Sequence, residues 1–313
     1  MVAVVLFTAL AFSTPRFATV SNLRNIAIQS SPLVIAAVGM TFVVLTAGID
    51  LSVGATLYLC GAVETAAFLA DAATAVVFLM VLLAAAAVGL ANGLGVAVAA
   101  VPALIVTLAA QLIWRGVAGH ITHQQSLIVS ERLRGIGTGS VLGIPWPILV
   151  GIAVVAAAQL TVRRTVFGRY VQAVGSSPSA ARDAGLPVRR VLVAVYVLAA
   201  GLAGVAALIQ VGRLGAVQPT VGQGFELTVI TAVVLGGTSL FGGRGSVLGT
   251  ALGCLILTFV ENGLVLTGTS PYVFDIVRAG VLLAAVLAAS FQGGSLSALF
   301  TRLRTSTARP VRH

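Results

Sequence analysis

TAVVFLMVLLAAAAVGLANGLGVAVA, residues 74–99, contains no ionisable side chain. An α-helix needs ~20 apolar residues to cross the ~30 Å hydrocarbon layer of a bilayer. This run is long enough to do so. Its glycines Gly89 and Gly93 stand four apart, a spacing that lets helix backbones approach closely. The same criterion finds runs near 26–47, 51–70, 102–119, 144–162, 191–212, 247–268 and 273–291, and a shorter one at 227–240. Residues 1–13 are apolar too, but Pro15 and Arg16 end that run early. No basic region precedes it, as a signal peptide requires. It reads as a span truncated at its start, or as one that does not fully cross. The expectation is an all-α membrane protein of about ten transmembrane helices, one transmembrane domain over residues 1–313.

Composition agrees. The chain is 58% hydrophobic and 8% charged, against ~25% charged in soluble domains. That excludes a water-soluble globule, and it excludes a disordered chain, which is polar and charge-rich. All 18 basic residues are arginine. A chain without lysine has no P-loop lysine and no Schiff-base lysine. The net charge of +10 would suggest nucleic acid in a soluble protein; here it reads as topology, with no nucleic-acid partner. Cys60 and Cys254 lie in apolar runs and read as buried thiols. His120 and His123, at i and i+3, could bind a metal but read as a solvated loop, and no metal site is assigned.

The arginines orient the chain. Residues 163–190 hold Arg163, Arg164, Arg169, Arg182, Arg189 and Arg190 against one acid, Asp183. The 301–313 tail holds Arg302, Arg304, Arg309 and Arg312 with none. The positive-inside rule puts both on the cytoplasmic side. With ten spans and the 163–190 loop after the sixth, both termini are cytoplasmic. The 120–143 loop, with His120, His123, Glu131, Arg132 and Arg134, is then external. The 163–190 connection is long, since most are a few residues, and suggests a docking element.

Two stretches break the apolar pattern. VVLTAGIDLSVGAT (43–56) and VVLGGTSLFGGRGSVLGT (233–250) start with the same aliphatic triplet. Gly48, Asp50 and Ser52 interrupt the first; Gly236, Gly237, Thr238, Gly242 and Gly243 interrupt the second. Interrupted segments in corresponding places of two halves point to a transport core. Ionisable residues inside spans usually face a bundle interior; here they are Glu64, Glu261, Asp275 and Arg278. Asp275 and Arg278, at i and i+3, read as an ion pair. Glu261 either lines a polar pathway or bonds between helices. In IQVGRLGAVQPTVGQGFEL (209–227), Arg213 and Glu226 either pair across the loop or contact a polar solute.

The stretches GRYVQAVGSSPSAARDAGLPVRRV (168–191) and AGLAGVAALIQVGRLGAVQPTVGQGFELTVITAVVLGGTSLFGGRGSVLGT (200–250) resemble the permease subunits of ribose-type simple-sugar ABC importers. AVGMTFVVLTAGIDLSVGA (37–55) and PALIVTLAAQLIWRG (102–116) do so as well. The resemblance runs from about residue 17 onward. It implies a second permease subunit, identical or closely homologous, a cytoplasmic ATP-binding subunit and an extracytoplasmic sugar-binding protein. It implies a multi-pass protein of the bacterial cytoplasmic membrane. ATP and Mg would be bound by the partner, with no cofactor on this chain. The coupling helix maps to Ser179, Ala180, Ala181, Arg182, Asp183, Ala184 and Gly185, with Ser179 where the wider family carries Glu. Relatives have a longer, often basic N-terminus and a complete first span, which implies truncation here.

A neutral sugar calls for a path of hydroxyl-matching groups. Asn92, Thr107, Gln111, Gln210, Gln218 and Asn262 are the candidates, joined by Arg213 and Glu226. No catalytic residue is assigned, because the spans hold no His and no convergent nucleophile cluster. Branched-chain amino-acid import, expected to lack the GGTSLFGG form, and nucleoside import are the related alternatives. An ion-coupled carrier would use Glu64 or Glu261, but it leaves the 163–190 loop without a role.

Overall fold

The computed structural model describes residues 2–292; the tail arginines Arg302, Arg304, Arg309 and Arg312 lie outside them. In chain order the helices are α1 (Val2–Ser13), α2 (Val20–Leu45), α3 (Val53–Leu69), α4 (Thr74–Ala97), α5 (Ala103–Ile121), α6 (Glu131–Thr138), α7 (Trp146–Arg164), α8 (Val166–Ser176), α9 (Pro178–Asp183), α10 (Val188–Leu214), α11 (Phe225–Leu235), α12 (Val247–Leu266) and α13 (Pro271–Gln292). Four two-residue strands, β1 (Leu127–Ile128), β2 (Ser140–Val141), β3 (Ile144–Pro145) and β4 (Ala216–Val217), pair antiparallel as β1 with β4 and β2 with β3. Each apolar run of the sequence is a helix; most ends fall within three residues of those expected, but α2 starts six residues before its run and α11 ends five residues before its own. Among the described residues six helices, α2, α4, α5, α7, α10 and α12, are long and apolar enough to cross a bilayer.

Local chemistry sets the ends. Thr19, Thr165, Ser177 and Ser246 each accept a hydrogen bond from a backbone N–H in the first turn of α2, α8, α9 and α12. Such caps satisfy donors that a helix start leaves orphaned. Pro147 opens α7 where its missing N–H costs nothing. Gly215, at φ 73°, closes α10 in the left-handed region.

Helix α2 is the axis. Every residue from Ser30 to Thr46 is buried, and α10, α12, α7 and α11 pack around it. Helix α10 in turn carries α4, α3 and α6. The outer helices show the inverse of a soluble protein: Leu79, Leu83, Leu112 and Ile152 are 57–70% exposed. Apolar surface of this extent is what lipid or a partner helix covers. Small α1 folds onto α12 through Phe7, Phe17 and Phe259, whose ring centroids lie 5.6–6.0 Å apart.

The 120–143 segment is more than a loop. It contains α6, which lies on α10 because Gly137 and Gly212 meet backbone to backbone. The 163–190 segment folds as α8 and α9, and we use it to name the arginine-rich end of the bundle. There Gly175 of α8 abuts the carbonyl of Leu45, whose oxygen also accepts from Gly243 N at 2.9 Å. The two Gly-rich stretches thus meet each other and α8 in one joint.

A Cβ on Gly175 would overlap the Leu45 carbonyl oxygen, whereas one on Gly116 meets nothing. Gly175→Ala should cost about 1–3 kcal/mol, as overpacking does, and Gly116→Ala should be neutral or stabilising by up to about 1 kcal/mol. Thermal unfolding of both variants in detergent checks the contrast.

Candidate functional site

Two of the apolar helices are short. Helix α3 has 17 residues and α11 has 11, which at 1.5 Å per residue is ~25 Å and ~16 Å. Neither fills the ~30 Å core alone. Both start where the chain has unwound, α3 after 46–52 and α11 after 215–224. The two starts touch: Gly54 and Gly222 pack backbone against backbone, with Gly222 at φ 74°. From this contact α3 climbs towards β4, and α11 descends to the arginine-rich end, where Gly236 meets Gly249.

The residues around the contact form two polar layers along α5. In the lower layer, Asp50 Oδ1 accepts from Ser52 N at 2.8 Å and from Ser52 Oγ at 2.6 Å. Asn92 donates to Ser52 Oγ at 2.8 Å, and Thr107 donates to the Ile49 carbonyl at 3.2 Å. All four polar side chains are buried. This Asx-type turn holds the break before α3. In the upper layer, Gln111 donates to Glu226 Oε1 at 3.0 Å. The other oxygen of Glu226 lies over Gly54 without a hydrogen-bond partner. Arg115 donates to the carbonyls of Pro219 and Val221 at 3.1 and 3.3 Å and lies over the Tyr58 ring.

Gln210, Arg213 and Gln218 line a neighbouring cavity of about 330 Å³, together with Glu261 and Arg278. Arg213 donates to Gln210 at 3.3 Å. Arg213 and Glu226 form no ion pair; each has a different partner. Arg278 lies 3.3 Å from Asp275, as the sequence suggests, and 3.9 Å from Glu261. Asn262 lies apart from these groups: it exchanges hydrogen bonds with Asn22 at 2.9 and 3.1 Å, joining α2 to α12. Glu64 is fully buried on α3, with no hydrogen-bond partner for either oxygen.

At the arginine-rich end, Gly237, Gly242 and Gly243 take φ of 71–83°, so the chain reverses tightly after α11. The Ser239–Arg244 turn closes by Ser239 N donating to Arg244 O at 2.9 Å. Next to it α9 projects, with Ser179, Ala180, Arg182, Asp183 and Gly185 exposed and Ala181 buried. Gly185, at φ 77°, ends it.

Arg115 is the residue the sequence reading passed over. Its signal was available: Thr107, Gln111 and Arg115 recur every four residues, on one helix face. Cys60 and Cys254 are buried thiols. His120 and His123 are exposed with ring centroids 6.4 Å apart, and among the described residues no group of three or more His, Cys, Asp or Glu is placed to hold a metal.

Comparison with known proteins places this arrangement. The family model described as "Branched-chain amino acid transport system / permease component" matches residues 22–286. The ribose import permease protein RbsC of Escherichia coli strain K12 is 42% identical over 288 residues, covering 90% of each chain. The L-arabinose ABC transporter permease protein AraH of Azospirillum brasilense is 36% identical, covering 92% of this chain and 85% of that protein. The galactofuranose transporter permease protein YtfT of Escherichia coli strain K12 is 35% identical, covering 84% and 77%. No solved structure matches.

The Asp50 carboxylate holds both donors of Ser52. Asp50→Ala strands them and should cost about 1–3 kcal/mol, the penalty of unpaired buried groups. Asp50→Asn keeps an acceptor oxygen and should lose less. Thermal unfolding of the purified variants should rank them in that order.

Proposed function

The chain belongs to this family of transport permeases, its relatives are sugar ABC permeases rather than enzymes, and from that premise we propose a specific role. It forms the translocation path of an ATP-driven importer for a simple sugar or related polyol. An external binding protein delivers the solute, and a cytoplasmic ATPase binds ATP and Mg. A second permease subunit, the same chain or a homologue, completes the path. The setting is the bacterial cytoplasmic membrane, with ten spans, both termini and the 163–190 loop cytoplasmic, and 120–143 outside.

The observation that carries this reading is the contact between the starts of α3 and α11. Unwound backbone within a membrane is tolerated where it lines a cavity or is buried in protein, and transporters place their sites at such breaks. The groups gathered around it, Asn92, Thr107, Gln111 and the free oxygen of Glu226, are donors and acceptors that match hydroxyls. Gln210, Arg213 and Gln218 line the approach. Asn262 is left to helix packing.

Helix α9 is the proposed coupling element, with Ser179 to Gly185 exposed for the ATPase. Its neighbour α8 touches both Gly-rich stretches through Gly175 and Gly243. A push on α9 therefore reaches, through α8, the end of α2 and the Gly-rich turn that follows α11. One observation favours a second reading, import of a zwitterion such as a branched-chain amino acid: the cavity next to the break carries Arg213, Glu261 and Arg278.

Proteoliposomes holding the chain with its ATPase and binding protein test this. Sugar uptake should require ATP, and Gln111→Leu should lower it by on the order of tenfold. Arg182→Glu, on the exposed face of α9, should lower ATP-driven uptake comparably while leaving the melting temperature unchanged. Uptake without ATP, or uptake of amino acid in place of sugar, would overturn the reading.

A further inference from the structure

A groove of about 590 Å³ runs along α7, on the side of the molecule away from the polar layers. Helix α7 packs on α2, α8, α12 and α6 and has no substantial contact with α3, α4 or α5. The groove extends from Ile148 to Arg164. Those sixteen steps of helix are ~24 Å, more than the ~15 Å that one leaflet contributes to the hydrocarbon core. Its walls are mostly aliphatic, with Val34 from α2, Ile152 and Val155 from α7 and Leu255 from α12; Gln159 of α7 is the one amide among them. The hydroxyls of Ser30 and Ser31 turn away into their own helix, donating to the Ala27 carbonyl at 3.1 and 2.7 Å. What these two serines leave facing the groove is carbon.

One end differs. Arg163 and Arg164, the last residues of α7, line it. Both are exposed. Among the described residues neither has an ion pair or side-chain hydrogen bond. An acyl-chain-length apolar slot that ends in two unpaired guanidiniums has the charge and shape of a phospholipid turned inside out. Basic pockets between membrane helices bind anionic headgroups, and a guanidinium pairs with phosphate through parallel N–H donors.

We infer that this groove is a binding site for one anionic phospholipid of the leaflet bordering the arginine-rich end. Its acyl chain lies between α2, α7 and α12, and its phosphate rests on Arg163 and Arg164. A second copy of the chain is the competing occupant; seated symmetrically on the same groove, it would bring its own Arg163 and Arg164 to the pair rather than a counter-charge.

The test is native mass spectrometry of the purified protein after exchange into phosphatidylglycerol or phosphatidylethanolamine. Wild type should retain phosphatidylglycerol preferentially. With about a factor of five per arginine, R163Q/R164Q should weaken that retention by on the order of tenfold or more. Gly151→Leu fills the groove and keeps both arginines. A Cβ there meets only Ser31, at an ordinary 3.7 Å, so a side chain can leave the backbone there without a clash at its first atom; thermal unfolding checks that the variant folds, and retention should fall as well. If the double variant does not fold, Gly151→Leu decides alone. Equal retention of the two lipids, wild-type retention by Gly151→Leu, or disulfide cross-linking of two Ile152→Cys copies across the groove would overturn the proposal. The buried Cys60 and Cys254 do not compete in that cross-link. No sugar or ATP enters the assay, so its failure leaves the transport reading standing.

Discussion

Backbone left unpaired in hydrocarbon costs several kcal/mol per group, and this fold breaks two helices inside its own core. Everything else in the molecule answers that cost. At the first break, the Asp50 carboxylate takes the Ser52 amide and hydroxyl, and Thr107 reaches the Ile49 carbonyl. At the second, Arg115 reaches the carbonyls of Pro219 and Val221. Helix α5 is thus the common support: the residues it sends to the two breaks lie on one face, two turns apart. The close contact of Gly54 with Gly222 then brings two backbones together without side chains between them. A Cβ at either position would push the breaks apart.

The same economy governs the arginine-rich end. Gly175, Gly242 and Gly243 let three segments meet at the end of α2. Packed backbones of this kind have no rotamers to absorb a displacement, and close-packed interiors transmit strain. On the proposed reading, this is how an exposed helix of six residues, α9, is tied to breaks deeper in the bundle. The chain holds no lysine and binds no nucleotide in that reading, so it receives its work through this joint.

Much of this was legible in the residues. The helix runs could be read because a hydrocarbon solvent imposes length and apolarity on each separately. The shared triplet of 43–56 and 233–250 pointed to two stretches that the fold does bring together, through Leu45 and Gly243. The contact of Gly54 with Gly222 was not legible, because two glycines far apart in sequence carry no pattern that pairs them. Helix α6 was missed for a related reason: it is short and mostly polar, and Gly137 on Gly212 seats it on α10 with only Leu133 fully buried and Ile136 beside it. Asn262 stayed ambiguous because an amide in a span looks the same whether it faces a path or another amide. Only the partner, Asn22, distinguishes the two.

Glu226 brings these strands together. It sits in the first turn of α11 and over Gly54 in the first turn of α3. Each helix N-terminus presents roughly half an elementary positive charge. Two of them aimed at one interior point would attract an anion there. A single carboxylate between them offsets about that amount, and Gln111 fixes its orientation through one oxygen. The charge of the two helix starts is then spent within the protein, and what remains available is hydrogen bonding. On the proposed reading, this is the arrangement that admits a hydroxyl and gives a free anion no advantage. It is also how, on that reading, an acid stands beside a path for an uncharged solute: the helix starts around it offset its charge, and its second oxygen is left to accept.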